Sequence, residues 1–414
     1  MAFVKPFICI RPNEQFAPRV AALPYDVYNR KEAEQEILQE TMSFLKVDRP
    51  ETNFTEEIDT YDPIVYEKAK ELLMQMQEEG VLQTEEKPFY FVYELIMKGR
   101  SQTGLVACAS IDDYLNNVIK KHENTREEKE QDRIQHVDIC DMHTGPIFLA
   151  YRAHKTICDA VSDTKKEEAI YHFVSADQIT HTVWKIHQPD RIRAIGEAFG
   201  QIDNIYIADG HHRAASAVKV GLKRRMENPG YTGEEEFNYF LSVLFPHDQL
   251  MIMPYNRTVK DLNGLSKEEY LSRLSESFHV DYLGKVSFSP VQKATFGMYL
   301  KEDGWYSLTA KEQLKAITDP VAALDVSLLQ DYLLEPILGI KDPRVDCRID
   351  FIGGIRGLGE LERRVEEDMT VAFSMYPTSI EELFAVSDAG KLMPPKSTWF
   401  EPKLRSGLFL HKLS

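Results

Sequence analysis

The chain has no run of about 18 or more apolar residues, so no stretch reads as a membrane-spanning helix. Residues 1–20 carry Lys5, Arg11 and Glu14 and hold no apolar stretch of signal-peptide length. Cysteine is scarce: Cys9, Cys108, Cys140, Cys158 and Cys347 are odd in number, widely spaced and form no CxxC pair, which reads as reduced, mostly buried thiols. These absences lead to the expectation of a cytoplasmic protein with no membrane partner. Basic residues are also in deficit. With 49 Lys and Arg against 66 Asp and Glu the net charge is −17, and no long basic run offsets it. Such a surface repels duplex DNA, so a nucleic-acid partner is not expected, whereas a small anion can still bind in a local basic pocket. The oligomeric state is not legible.

What is present is a globular composition, 43% hydrophobic and 28% charged over 414 residues, enough for two or three domains or for one core with a large elaboration. "FVKPFICIRP" reads as a short buried strand, and Asn29 with Glu32 as a capping box opening a helix. In "YDPIVYEKAKELLMQMQEEGV", Val65, Ala69, Leu72, Leu73 and Met76 share one helical face between Pro63 and Gly80. "PFYFVYELIM" and "GLVACASI" read as strands joined across the polar "KGRSQT". Thr125 with Glu128 predicts a helix starting near Arg126, with His122 and Glu123 just before it. "AIYHFVS", "THTVWKI" and "NIYIAD" read as strands, and "PDRIRAIGEAFG" and "HRAASAVKVGLKRRM" as helices. From about 257 the texture changes to amphipathic helices such as "SKEEYLSRLSESF" and "DVSLLQDYLLEPILGI", interleaved with short strands such as "GWYSLTA". "MPPKSTWFEPKL", with Trp399, reads as a segment that packs. The expected class is α/β (α+β), with a core over 1–256 and a C-terminal α/β elaboration over 257–414.

The stretch "YIADGHHRAASAVKVG" places two histidines and an arginine at a strand-to-helix turn. A helix start leaves four amides unpartnered and carries partial positive charge, which suits phosphate. Gly210 lets the backbone approach a ligand, while His211, His212 and Arg213 add donors around the same oxygens, Arg213 as a planar fork. The plainer reading is a tight loop capped by Asp209 with exposed histidines. Zinc is not expected, because adjacent histidines diverge and neither HExxH spacing nor a Cys partner follows.

"DGHHR" resembles the signature of the ParB/sulfiredoxin-like superfamily, in which such a turn binds nucleotide phosphate. "IRPNEQFAPRVAALPYDVYNRKEA", "HENTREEKEQDR", "GPIFLAYR", "YIADGHHRAASA" and "MPPKSTWFEPK" together resemble one branch of it, domain-of-unknown-function family 1015, over nearly the whole chain. The sequence departs at Ala214 and Ala215, where that family commonly has tyrosine and glutamate, so no role is carried to those positions. The resemblance implies a ParB/sulfiredoxin-like core with a nucleotide site. Superfamily members move phosphate from a nucleotide to free serine, activate a sulfinate with ATP, or hydrolyse CTP as a switch.

Two functions follow from that resemblance. The first is a kinase that uses ATP or ADP with Mg²⁺ to phosphorylate a small hydroxylated metabolite, with free L-serine the first acceptor to test. The second is a nucleotide-binding regulatory module of ParB-like type, non-catalytic or slowly hydrolysing. Phosphoryl transfer requires positioning, charge stabilisation and a base near the accepting hydroxyl. Glu123, beside His122, is the candidate base; an exposed acid in a charge-rich stretch is the plainer view of it. Arg133, with Asp132, orients Glu123 or a phosphate, or is half of a surface ion pair. Asp26, in the stiff turn after Pro24 and Tyr25, lines the same cleft with Tyr25 as a substrate contact, or bonds its own backbone. Asp209 holds Mg²⁺ through water, or caps the helix.

Overall fold

The computed structural model describes residues 1–125 and 127–414. The chain forms two units, Met1–Leu250 with Pro402–Ser414, and Met251–Glu401. The expected change at 257 therefore falls inside the second unit. The tail leaves it again because Leu410–Lys412 pairs as a strand with Cys9–Pro12 and with Met142–His143. Both units combine helices and sheets, an α/β architecture. No helix among the described residues is long and apolar enough to cross a membrane.

In the first unit, nine strands among the described residues form the main sheet. Its path runs Ile119–Lys120, Ile205–Asp209, Ile147–Tyr151, Tyr239–Pro246, Arg100–Ser110, Tyr90–Met97, Thr180–Ile186 and Tyr171–Val174, and Val4–Lys5 pairs with Arg100–Ser110. Tyr90–Met97 is an apolar run and almost wholly buried, as a strand covered on both faces must be. The turn after it is shorter than the polar "KGRSQT" suggests. Only Lys98 and Gly99 turn, with φ of 50° and 80°, and the polar residues from Arg100 onward already lie in the next strand. Left-handed backbone at both central residues matches the twist of a two-residue hairpin, which overrides the polarity of the flanking residues. "FVKPFICIRP" likewise gives two strands rather than one. Pro6 has no N–H to extend a ladder, so Val4–Lys5 joins the main sheet while Cys9–Pro12 joins a separate four-stranded one.

Helices form where short-range signals place them. Asn29 and Glu32 make the reciprocal capping box of Arg30–Gln39. Pro63–Glu78 buries Val65, Ala69, Leu72, Leu73 and Met76. Glu127–Cys140 packs against His211–Glu227, with Lys219 paired to Glu130 and Arg224 to Asp138 across the two helices. Arg126, where that first helix was expected to begin, lies outside the described residues. Cys9, Cys108 and Cys140 are buried free thiols. Burial pushes the Cys140 thiol up to about 12, so it stays protonated and inert.

The second unit is a six-stranded sheet in the order Phe278–Gly284, Gly304–Ala310, Thr295–Leu300, Val371–Ser374, Tyr255–Val259, Ile349–Gly353. Helix Leu358–Glu367 contributes Leu361 and Val365 to a core around the fully buried Trp305. "DVSLLQDYLLEPILGI" is not one regular helix: the α-helix Asp325–Leu329 widens into a π-helical turn over Gln330–Leu334. Trp399–Phe400 pairs with Ile252–Met253, and the Trp399 indole donates to Glu401.

Candidate functional site

Strand Ile205–Asp209 ends where helix His211–Glu227 begins, and Gly210 between them has φ 92° and ψ 32°. A side chain at Gly210 would meet nothing closer than the Ile147 Cα at 3.8 Å, so glycine is required by the left-handed backbone and not by crowding. Gly210→Ala should lower stability by about 1–2 kcal/mol, read as a shift in the urea midpoint at unchanged slope. No side chain caps the helix and its first turn holds no acidic residue. The Asp209 carboxylate bonds the Gly210 amide at 2.8 Å instead of the helix amides beyond it.

Sheet topology decides which residues meet this turn. Ile119–Lys120 runs parallel to Ile205–Asp209, pairing Ile119 with Ile205, so the chain leaves both strands at the same end and His122 and Glu123 emerge beside Gly210. Ile147–Tyr151 runs antiparallel to it, so its beginning lies at that same end. Gly145 and Pro146 are thereby brought to Arg213, which donates to the Pro146 carbonyl at 3.2 Å.

At the turn the fully buried His122 and the buried His211 meet edge to face, with ring centroids 4.5 Å apart. The His122 amide points at His211 Nε2 at 3.5 Å, leaving the Nδ1 edge 3.8 Å from Glu123. Burial holds His122 down to about 3 and His211 down to about 4, so both imidazoles are neutral at physiological pH. The fixed positive charge beside the turn comes from Arg213 and from Lys403, whose ammonium lies 2.8 Å from Asp209. Burial raises the Asp209 carboxyl, but Lys403 outweighs it and Asp209 ends at about 2. A depressed carboxyl stabilises the fold above its ordinary pKa near 4 and loses that contribution as pH falls toward 2. Lys403→Met should therefore flatten the acid side of the stability curve between about pH 4 and pH 2 in chemical denaturation.

Tyr25 sits in a one-turn helix after Pro24. Its ring lies 4.1 Å from the Arg133 guanidinium and 5.5 Å from that of Arg213. Burial pushes the Tyr25 phenol up to about 12, so it remains a neutral donor. The two arginines differ. Arg133 is buried and held by Asp132 at 2.9 Å, and Asp132 also accepts from Tyr66. Arg213 faces a half-exposed Asp26 at 3.6 Å, a pair worth at most about 1 kcal/mol and readily given up to a stronger anion. Burial, helped by Lys129, holds the partly buried His212 below its ordinary value against the fields of Glu123, Glu130 and Asp26. Arg133, Arg213 and Tyr25 line a cleft of about 420 Å³, solvent mouth included, with Asp48, Thr144, Gly145 and Ser406.

The fold thus brings Gly210, His211, Arg213, Asp209, His122 and Glu123 to one turn, and Tyr25, Asp26 and Arg133 to the side of it that Arg213 also lines. Sequence reasoning missed Lys403, which pairs with Asp209, and His143 and Ser406, which also line the cleft. The tail "SGLFLHKL" has the short apolar run of a strand, which was the available signal for the last segment. Among the described residues no group of three or more His, Cys, Asp or Glu is placed to hold a metal ion.

These features define an α/β protein with a left-handed glycine turn between strand and helix, opening beside a two-arginine cleft. The chain belongs to the family described as "Protein of unknown function (DUF1015)", whose model matches residues 4–327. No curated protein matches it. Among solved structures it is similar to SbnI with a C-terminal truncation from Staphylococcus aureus, at 11% identity and TM-score 0.39 over 73% of this chain and 85% of that one. A free serine kinase in complex with AMP gives 16% identity and TM-score 0.32, covering 77% and 92%. A conserved hypothetical protein from Pyrococcus furiosus gives 14% and 0.32, covering 73% and 93%.

Proposed function

We propose that the first unit is a ParB/sulfiredoxin-like nucleotide-binding core and that the protein is a phosphotransferase using ATP or ADP on a small hydroxylated molecule, with free L-serine the first acceptor to test. The observation that carries this reading is the uncapped start of helix His211–Glu227 behind a left-handed Gly210, with the weakly paired Arg213 on its first turn. Helix-start amides and a guanidinium together suit the terminal phosphate of a nucleotide. His212 adds an N–H donor that carries no charge of its own at neutral pH, His211 offers its Nδ1–H on the side of Glu123, and His122 shields the turn from water.

Mg²⁺ would arrive with the nucleotide and take most of its ligands from phosphate oxygens and water, with Asp209 the nearby carboxylate suited to bind through water. Glu123, one-third exposed and next to the buried His211, is the residue assigned to take the proton of the accepting hydroxyl. Tyr25, Asp26 and Arg133 line the acceptor side.

Incubation with Mg²⁺, ATP or ADP and a panel of hydroxy amino acids and hydroxy acids tests the reading. A phosphorylated acceptor is the expected product. Nucleotide that binds, or is slowly hydrolysed, with every acceptor left unmodified would instead identify a regulatory module.

A further inference from the structure

His143, His411 and Glu236 take no part in the glycine turn, yet they form a chain, buried at its two histidines, that ends at the cleft. His143 and His411 face each other across the pair of strands Met142–His143 and Leu410–Lys412. Their rings stack with centroids 5.4 Å apart, and Nδ1 meets Nδ1 at 3.2 Å. His411 Nε2 lies 2.7 Å from one oxygen of Glu236, whose other oxygen is 3.0 Å from the Lys5 ammonium. Both histidines are buried, whereas Glu236 is partly exposed.

The polarity of this chain follows from its last member. A carboxylate only accepts, so His411 Nε2 carries the proton and donates it. Burial keeps both imidazoles neutral at physiological pH. His411 Nδ1 is then bare, so the hydrogen between the rings belongs to His143 Nδ1. The remaining nitrogen, His143 Nε2, is left as a lone pair. It is buried and has no hydrogen-bond partner, and His143 lines the cleft. The hydroxyl of Ser406, also on the cleft and almost wholly buried, has no partner either. Two buried polar groups without partners in one cavity, beside two guanidiniums, describe a site complementary to a ligand.

We propose that this cleft binds a small anion that carries a hydroxyl, the anionic group on Arg133 and Arg213 and the hydroxyl donating to His143 Nε2. The His411–Glu236 chain acts as a positioning device that makes His143 an acceptor. Asp48, the carboxylate on the cleft wall, accepts from Thr144 at 2.8 Å and favours ligands with a donor on that side. The site rests on the cleft's own geometry and stands whether or not phosphate is transferred at the neighbouring turn.

The test uses the full chain at neutral pH, with the ring nitrogens of its histidines followed by ¹⁵N NMR during titration with D-glycerate, propionate or glycerol. His143 should carry its proton on Nδ1. Glycerate should shift the Nε2 resonance saturably and bind about tenfold tighter than propionate, which lacks the hydroxyl. Glycerol, which lacks the charge, should bind far more weakly. Glu236→Gln supplies a control that preserves shape. Lys5 holds the amide oxygen, the amide nitrogen donates to His411, the chain reverses, and His143 Nε2 gains the proton; the Nε2 resonance should then move from the bare to the protonated range, and an Nε2 that stays bare in this variant would show that Glu236 does not set the tautomer. A wild-type His143 protonated on Nε2, or glycerate binding no tighter than propionate, would overturn the proposal. A positive titration without phosphate transfer would leave this site standing and count against the kinase reading alone.

Discussion

Replacing Arg213 by alanine should weaken binding of ADP or ATP by about 10- to 100-fold, because a charge-assisted hydrogen bond to phosphate is worth about 1.5–3 kcal/mol. The fold should survive the change. In the protein Arg213 bonds one carbonyl, that of Pro146, and faces a half-exposed carboxylate at 3.6 Å. Arg213→Lys should restore only part of the affinity, since an ammonium cannot make the paired contacts of a guanidinium. Isothermal titration measures both variants. An unchanged dissociation constant in Arg213→Ala would detach the guanidinium from the nucleotide.

Glu123→Gln should lower the rate of phosphate transfer by about 10²- to 10⁴-fold, the range contributed by a general base, while leaving nucleotide affinity as it was. Glutamine keeps the size of the side chain and its place 3.8 Å from His211 but cannot accept a proton. Single-turnover kinetics separate the chemical step from binding. Full transfer by this variant would remove Glu123 from the mechanism and leave its carboxylate as a polar neighbour of His211.

Short-range chemistry was legible in the residues. The Asn29 cap, the Pro63-to-Gly80 helix and the strand–glycine–helix turn at 205–227 depend on spacings of a few residues, and the structure has them. The meeting of His122 with His211 depends on something else, the parallel pairing of Ile119–Lys120 with Ile205–Asp209, which no local pattern encodes. The same holds for Lys403 on Asp209 and for His143 against His411, contacts made only because the tail returns to the first unit. Arg133 illustrates a third kind of limit. Its charge-rich helix reads as a solvated face, yet the guanidinium is buried, because Asp132 neutralises it and Tyr25 covers it. Polar sequence misled at Arg100–Thr103 as well, where a two-residue turn lets polar residues enter the strand at once.

The central claim is that the amides of residues 211–213, with the Arg213 guanidinium, hold the terminal phosphate of a nucleotide at the mouth of the two-arginine cleft. A crystal structure of the protein grown with ADP tests it directly. The β-phosphate oxygens should lie within about 3.2 Å of those amides and of Arg213, with Glu123 facing the open side of the phosphorus. ADP bound away from the turn, or a turn that stays empty at millimolar ADP, would contradict it.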